Sequence, residues 1–248
     1  MFNFRLDYNR CMKKLLLLLL SLGFLGLANA DSNKVINVDG KNVTFPPIQS
    51  LVRVDTSSVE LFNAIEFMAN EVGLHLLDAY FLPEDIDAFM NGELPTFARH
   101  VQIKTILNNG KDVPYSIFLE QVEHQKQEAL KIEDTLNRAN DLLDEQGNFF
   151  SNLFEVEIGN VLQYISPQPV FVDNENNFGM SWVYINKQTE NGKVIEYGRV
   201  ITNLAIFINN RILNVAFYSN WSSTKEIAPQ ELVLKHWLKS FWEANNNV

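Results

Sequence analysis

Residues 196–218 read EYGRVITNLAIFINNRILNVAFY, and this stretch decides the fold. Val, Ile, Phe and Tyr recur on both sides of one break, the pair Asn209-Asn210. Asparagine accepts the positive φ values that a two-residue hairpin turn needs, and two strands joined by so short a turn must be antiparallel. The stretch therefore predicts an antiparallel hairpin.

Similar patterns extend from this hairpin in both directions along the chain. Further strands are predicted at 35–38, 42–45, 51–54, 74–82, 97–106, 170–172 and 180–186. Helices are predicted at about 57–71, at 83–92 and from Pro229 towards the C-terminus. Asn191-Gly192 is a turn dipeptide between two of the strands. This order predicts an α+β fold: a single domain over residues 31–248, with an antiparallel sheet flanked by helices.

The strongest helical pattern covers residues 115–146. Apolar side chains recur there at three- and four-residue spacing, and Gly147 follows the run. At 3.6 residues per turn, the pattern predicts one long helix of roughly nine turns. A coiled-coil partner would fit the same spacing. Because Ala129 and Ala139 are small and Gln125 is polar, we favour packing on the protein's own sheet or on the segment 149–165.

The N-terminus has the features of a secretory signal peptide. A Lys-Lys pair precedes an apolar run over residues 15–27, and an Ala-Asn-Ala cleavage motif ends at Ala30. The run is too short to cross a bilayer core, which takes roughly 20 residues. We predict that residues 1–30 are removed on export from a bacterial cell, leaving a periplasmic or secreted protein with no stable membrane span. Translation could begin at Met1 or at Met12.

Composition narrows the classes of partner. The formal net charge of −10 becomes −13 without the leader, which holds four basic residues and one acidic residue. Such a surface repels nucleic-acid phosphates and anionic lipids, and it suits cationic partners or other proteins. The one cysteine, Cys11, precedes the mature chain, so that no disulfide or thiol nucleophile is predicted. Neither a Gly-rich phosphate loop nor His-Glu-x-x-His occurs, and no cofactor is predicted.

The C-terminal third carries a resemblance to known proteins. Residues 186–209 lead into Asn210-Arg211-Ile-Leu, and the chain closes with Trp237-x4-Trp242-x2-Asn245. These features resemble uncharacterised exported bacterial proteins with a Mog1/PsbP-type α/β sandwich. The resemblance implies a fold and a role in binding or assembly, and it implies no catalytic residues.

Histidines are the first candidates for chemistry. His75 and His100 lie in predicted strands and could face each other across the sheet, and two histidines plus a carboxylate would suit zinc. Glu120, His124 and Glu128 follow i, i+4, i+8 spacing and share a helix face. That face could hold a cation or could be an ordinary solvated helix surface, which is the commoner arrangement.

Two tryptophans are the candidates for binding. Trp221 is predicted in a turn and Trp242 off the main face of the last helix, and exposed tryptophans are typical anchors of protein interfaces. We therefore expect a non-enzymatic binding or envelope-assembly protein whose partner is another protein. One alternative is a periplasmic hydrolase or metal-dependent enzyme. A second alternative is an immunity or inhibitor-like protein that uses its acidic surface against a basic effector.

Overall fold

The computed structural model describes residues 32–54, 59–71, 73–93, 95–141, 158–190 and 193–246. The predicted leader, the turn at Asn191-Gly192 and residues 142–157 lie outside these ranges. The strands are β1 (Lys34–Val38), β2 (Lys41–Phe45), β3 (Val52–Arg53), β4 (His75–Phe81), β5 (Arg99–Thr105), β6 (Ile158–Asn174), β7 (Asn177–Glu190), β8 (Lys193–Ile208) and β9 (Arg211–Trp221). The helices with both ends described are α1 (Val59–Glu71), α2 (Pro83–Met90), α3 (Tyr115–Glu128) and α4 (Ile227–Asn245).

Seven of the strands form one antiparallel sheet in the order β3-β4-β5-β9-β8-β7-β6. The deciding hairpin is β8–β9, where Ile208 pairs with Arg211. Asn209 and Asn210 have φ values of 50° and 58°, as the turn requires. The predicted fold class, an α+β fold with an antiparallel sheet flanked by helices, is confirmed.

Strand β6 is longer than the sequence pattern predicts, because it includes Pro167 and Pro169. Proline has no N–H group and disrupts a central strand. Among the described strands β6 lies at the edge of the sheet and pairs on one side, with β7, and prolines are tolerated in an edge strand.

One face of the sheet, called here the hairpin face, is covered by the β1–β2 hairpin and by α4. Asp39 and Gly40 both have positive φ and form the predicted turn of that hairpin. Helix α4 presents the apolar stripe that its spacing predicts. The buried residues of this layer include Val38, Phe45, Val101, Leu204, Val215, Phe217, Leu234, Trp237 and Phe241.

Two groups of helices pack on the opposite face. Helix α1 buries one apolar stripe against β4, and α2 lies beside it. Helix α3 packs over β7, β8 and the start of β9. The first group includes Leu61, Ile65, Leu76, Ala79 and Phe81, and the second includes Phe118, Val122, Phe178, Ala205 and Ile212.

The region predicted as one helix over 115–146 is helical as far as it is described, but it bends. Helix α3 ends at Glu128, a turn follows, and residues 132–141 are helical again. The Glu128 carbonyl accepts from the Lys131 N–H at 3.1 Å within the turn and from the Thr135 hydroxyl at 3.2 Å, so the Thr135 side chain links the two helical parts. Ala129, Leu136 and Ala139 pack on the core beneath α3, which bears out internal packing for this part of the chain.

Arg211 ties three turns together from the interior. Its side chain is 1% exposed. The guanidinium donates to the carbonyl oxygens of Val38, Asp39 and Asn210, at 3.3, 2.6 and 2.7 Å. It also pairs with Asp112 at 3.1 Å, and hydrogen bonds from Arg211 and from the Asn210 side chain lower the pKa of that carboxyl. Arg211 therefore fastens the β1–β2 hairpin to the main sheet.

A second buried group, Asp78, fastens the other end of that hairpin. Its Oδ2 accepts hydrogen bonds from Arg53 Nε at 2.9 Å and the Tyr80 hydroxyl at 2.8 Å. Lys34 Nζ lies 3.8 Å from Oδ1, and Arg53 also donates to the Phe45 carbonyl. Burial raises the pKa of Asp78, although the cationic Arg53 and Lys34 act to lower it.

The described residues from Asn33 onward form one contact unit. No helix among the described residues is both long enough and apolar enough to span a membrane. Removal of residues 1–30 stays a prediction.

Candidate functional site

On the opposite face of the sheet, a strip formed by two strands lies between the two groups of helices. Helix α1 covers β4, and α3 covers the β7–β9 side. In the sheet order, β5 and β9 lie between these two areas. Successive side chains of a strand point to opposite faces, and this alternation shows which side chains of β5 and β9 lie on the strip.

The strip presents polar side chains. Val101, Ile103 and Val215 point into the core of the hairpin face, so that their sequence neighbours point the other way. Gln102 of β5 pairs with Ala216 of β9. We call the surface formed by Gln102, Lys104, Asn203, Asn214, Ala216 and Tyr218 the central groove.

Gln102 is the most unusual residue of the central groove. It is 8% exposed, and its side-chain amide has no hydrogen-bond partner within the described ranges. Both of its cross-strand neighbours, Ala79 and Ala216, are small. Asn203 pairs with Ala216 from the other side and is half-buried, and its amide too has no partner among the described residues. Two amides with free donors and acceptors thus flank one alanine.

Stacked rings form one end of the central groove. The His100 ring is 5% exposed and lies between Tyr218 and Phe81, with centroids 4.4 and 5.0 Å away. Burial lowers the pKa of His100 well below its usual value, and the nearby cations Arg199 and Lys104 lower it further. At neutral pH the ring is uncharged, and the cations stand at opposite ends of the groove.

Helix α3 forms one wall. Gln121 reaches down from it and donates from Nε2 to the side-chain oxygen of Asn214, which lies opposite Lys104 in the register. Gln121 Oε1 is buried and unpartnered in the described part of the chain. Ile117 lies one turn before Gln121 on the same side of α3, so it also borders the groove. It is 40% exposed.

A second concave surface, the bend cleft, lies in the angle between α3 and residues 132–141. Its volume is about 500 Å³. One Glu128 oxygen lies 3.0 Å from the Arg138 guanidinium and the other 3.7 Å from His124 Nδ1. Burial raises the pKa of Tyr184, and the neighbouring Tyr218 and Glu128 raise it further. The cleft is lined by His124, Gln127, Glu128, Lys131, Asp134, Asn137 and Arg138.

The bend cleft accounts for two of the three residues singled out by their i, i+4, i+8 spacing. His124 and Glu128 line it, whereas Glu120 does not. Both oxygens of Glu128 contact cationic or ring nitrogen atoms of the same cleft, those of Arg138 and His124. The described residues contain no group of three or more His, Cys, Asp or Glu side chains placed to hold a metal ion.

The structure does not bring His75 and His100 together. His75 pairs with Thr105 in the register, five residues along β5 from His100, which corresponds to ~17 Å. His75 Nδ1 lies 2.9 Å from Glu66 of α1, whereas His100 is enclosed by aromatic rings. The expectation that the two histidines face each other across the sheet is therefore wrong.

Trp221 and Trp242 lie towards opposite ends of α4, and neither is an exposed anchor. Trp221 ends strand β9 and covers Gly198, where any side chain would collide with its ring. It packs with Ile227, at the first residue of α4. Trp242 lies in the last turns of α4 and donates from Nε1 to Asn177 at 3.2 Å. Both are half-buried, and they do not form one surface.

Sequence reasoning missed Gln102 and Asn203, although a signal for them exists. The run His100-Val-Gln102-Ile-Lys104 alternates strictly between polar and apolar residues, which ordinarily indicates a strand with one face in solvent. Here both faces carry helices, so the polar positions lie at the bottom of a groove. Chemically, the groove offers amide donors and acceptors, ring edges and a half-buried ammonium group.

No protein-family profile matches this chain, and no curated protein sequence is significantly similar to it. The function is therefore inferred from the groove itself.

Proposed function

We propose that this protein is an exported bacterial binding protein without catalytic activity, and that it holds part of another protein in the central groove. The observation that carries the proposal is Gln102, a residue only 8% exposed whose side-chain amide has no hydrogen-bond partner among the described residues and keeps some contact with solvent. A buried polar group without a partner costs about 1–3 kcal/mol. Such violations of the folding rules are concentrated at functional sites, where the group is retained for a ligand.

The arrangement of the histidines favours binding over catalysis. His75 pairs with Glu66, His124 with Glu128, and His100 stacks between rings, so the three lie in separate environments. A histidine-based hydrolase needs its base within hydrogen-bond distance of a nucleophile. The buried Ser181 hydroxyl donates instead to Glu231 beneath α4, on the hairpin face.

Export is part of the same proposal. It rests on the Lys-Lys pair, the apolar run over 15–27 and the motif ending at Ala30. The likeness to Mog1/PsbP-type sandwiches remains a proposal as well. What supports it is an antiparallel sheet with helices on both faces.

Export is tested by cell fractionation and by sequencing the N-terminus of the purified protein. We expect a periplasmic or secreted chain that begins at Asp31. The variant Ala30→Arg should block cleavage and accumulate the precursor, because the processing enzyme requires a small residue there. Full-length wild-type protein in the cytosol would contradict the proposal.

Groove binding is tested by crosslinking in intact cells. A photoreactive residue placed at Ile117, on the groove wall, should give a discrete adduct with another protein. The matched control places the same residue at Gln163, which is exposed on the edge strand β6. Identical adducts from both positions, or none from Ile117, would refute the groove as the binding surface.

A further inference from the structure

The chain already uses side-chain amides to bind extended backbone, at two separate places. Asn245 accepts from the Thr44 N–H at 2.9 Å and donates to the Thr44 carbonyl at 2.8 Å. Asn140 does the same at Leu162 of strand β6, at 2.6 and 3.1 Å. In both cases one amide satisfies both backbone groups of a single strand residue.

Gln102 and Asn203 offer the same chemistry without a partner in the described structure. They stand on β5 and β8, with β9 and its Ala216 between them. Two strand spacings separate their Cα atoms by ~9.6 Å. An extended peptide lying along the groove over Ala216 would have the Gln102 amide on one side and the Asn203 amide on the other. The N–H and C=O groups of an extended chain project from its two edges, so each amide would face one of these edges.

The charge of the groove is opposite to that of the whole molecule. The chain carries a formal net charge of −10, yet Lys104 and Arg199 stand at the two ends of the groove. The Lys104 ammonium forms no ion pair among the described residues, and it is half-buried. Glu128, an acidic side chain at the end of α3, is paired with Arg138. A carboxylate on the ligand would complement Lys104.

We propose that the central groove binds an extended peptide segment that carries a carboxylate. Its backbone pairs with the amides of Gln102 and Asn203, and its carboxylate, from an acidic side chain or a free C-terminus, pairs with Lys104. This inference rests on the proposed function and names the partner's chemistry, which belongs to the same class as strand and backbone recognition in peptide-binding domains.

The test uses the processed protein, purified after export, and an array of random-sequence octapeptides with free C-termini. Enriched peptides are resynthesised, and their affinities are measured by fluorescence anisotropy. We expect acidic peptides to be enriched, and Gln102→Met or Asn203→Leu to weaken binding about tenfold, since each removes hydrogen bonds to the peptide backbone. Lys104→Ala should abolish the preference for acidic over neutral peptides. Gln163→Met and Lys239→Ala, at exposed positions outside the groove, should change nothing.

Backbone recognition has its own readout. N-methylation of the peptide bond that pairs with Gln102 should weaken binding to the wild type about tenfold and should add nothing to the loss in Gln102→Met. Equal binding of the selected peptides by wild type and both amide variants would overturn the inference, as would failure to enrich any peptide. Groove-dependent binding on an oligosaccharide array, with no peptide bound, would overturn it in favour of a sugar ligand. If crosslinking from Ile117 still succeeded, the proposed function would stand and only the peptide inference would fall.

Discussion

The substitution Gln102→Met should make the protein more stable while removing its binding function. Methionine has about the length of glutamine but no hydrogen-bonding groups. It therefore fills the same space between Ala79 and Ala216. In the wild type the residue is 8% exposed and its amide is unpartnered within the described ranges, so folding removes part of the amide's solvation and no protein hydrogen bond replaces it.

The magnitude follows from this burial. An unpartnered amide costs about 1–3 kcal/mol, and the remaining 8% exposure places Gln102 near the lower end of that range. We expect Gln102→Met to raise the free energy of unfolding by about 1 kcal/mol. For a chain of this size, the melting temperature should rise by about 2–4 °C.

Urea titration and thermal melting measure the change, with Gln163→Met as the matched control. Gln163 is exposed, so its substitution should change stability by less than about 0.5 kcal/mol. A variant that is more stable and yet binds no peptide cannot owe its loss of binding to misfolding. If Gln102→Met were instead destabilised by 1 kcal/mol or more, the amide would be a structural group, and the reasoning that assigns it to a ligand would fail.

Three further changes test the contacts that hold the β1–β2 hairpin. Arg211→Met leaves the surrounding carbonyls unpaired and should lower the free energy of unfolding by about 3 kcal/mol. Asp112→Asn changes the exposed end of the same ion pair and should lower it by less than about 1 kcal/mol. Equal losses of stability in urea titration would contradict this reasoning. Asn245→Ala should cost about 1–2 kcal/mol and speed hydrogen exchange at the Thr44 amide, and unchanged exchange would contradict the anchoring role. The pKa of Asp78 is higher in the folded than in the unfolded chain. The stability that the protonated Asp78 carboxyl contributes is therefore fully present below about pH 4, and it is lost as the pH rises through the folded pKa. The stability of wild type relative to Asp78→Asn should therefore fall as the pH rises above about 4, and a constant or rising difference would refute it.

Elements with local causes could be predicted from the sequence. The turns at Asp39-Gly40 and Asn209-Asn210 depend on residues that accept positive φ, and both are found where predicted. The stripe of α4 follows from its spacing. The bend after Glu128 could not be predicted, because neither glycine nor proline marks it and its stabilising group, the Thr135 hydroxyl, lies seven residues further on.

The predicted binding anchors were misplaced for a related reason. An aromatic side chain off the main stripe of a helix or near the end of a strand looks exposed in sequence, but its burial depends on what lies opposite. Trp221 covers a glycine on the neighbouring strand, and Trp242 meets the β6–β7 turn at Asn177. Both positions are set by strand register, which local patterns do not contain.

The central groove depends on register in the same way, since Gln102 and Asn203 are 101 residues apart in the sequence and meet only because β9 lies between their strands. Yet the polar residues of β5 and β9 do not agree with the positions of the helices. A sheet covered on both faces ordinarily carries apolar residues on both. In β5 the second face carries His100, Gln102 and Lys104, and in β9 it carries Asn214 opposite Lys104. Polar residues in that position cannot stabilise a core. Asn214 meets Gln121, whereas Gln102 meets no partner among the described residues and keeps only a small contact with solvent, which is why we assign it to a ligand.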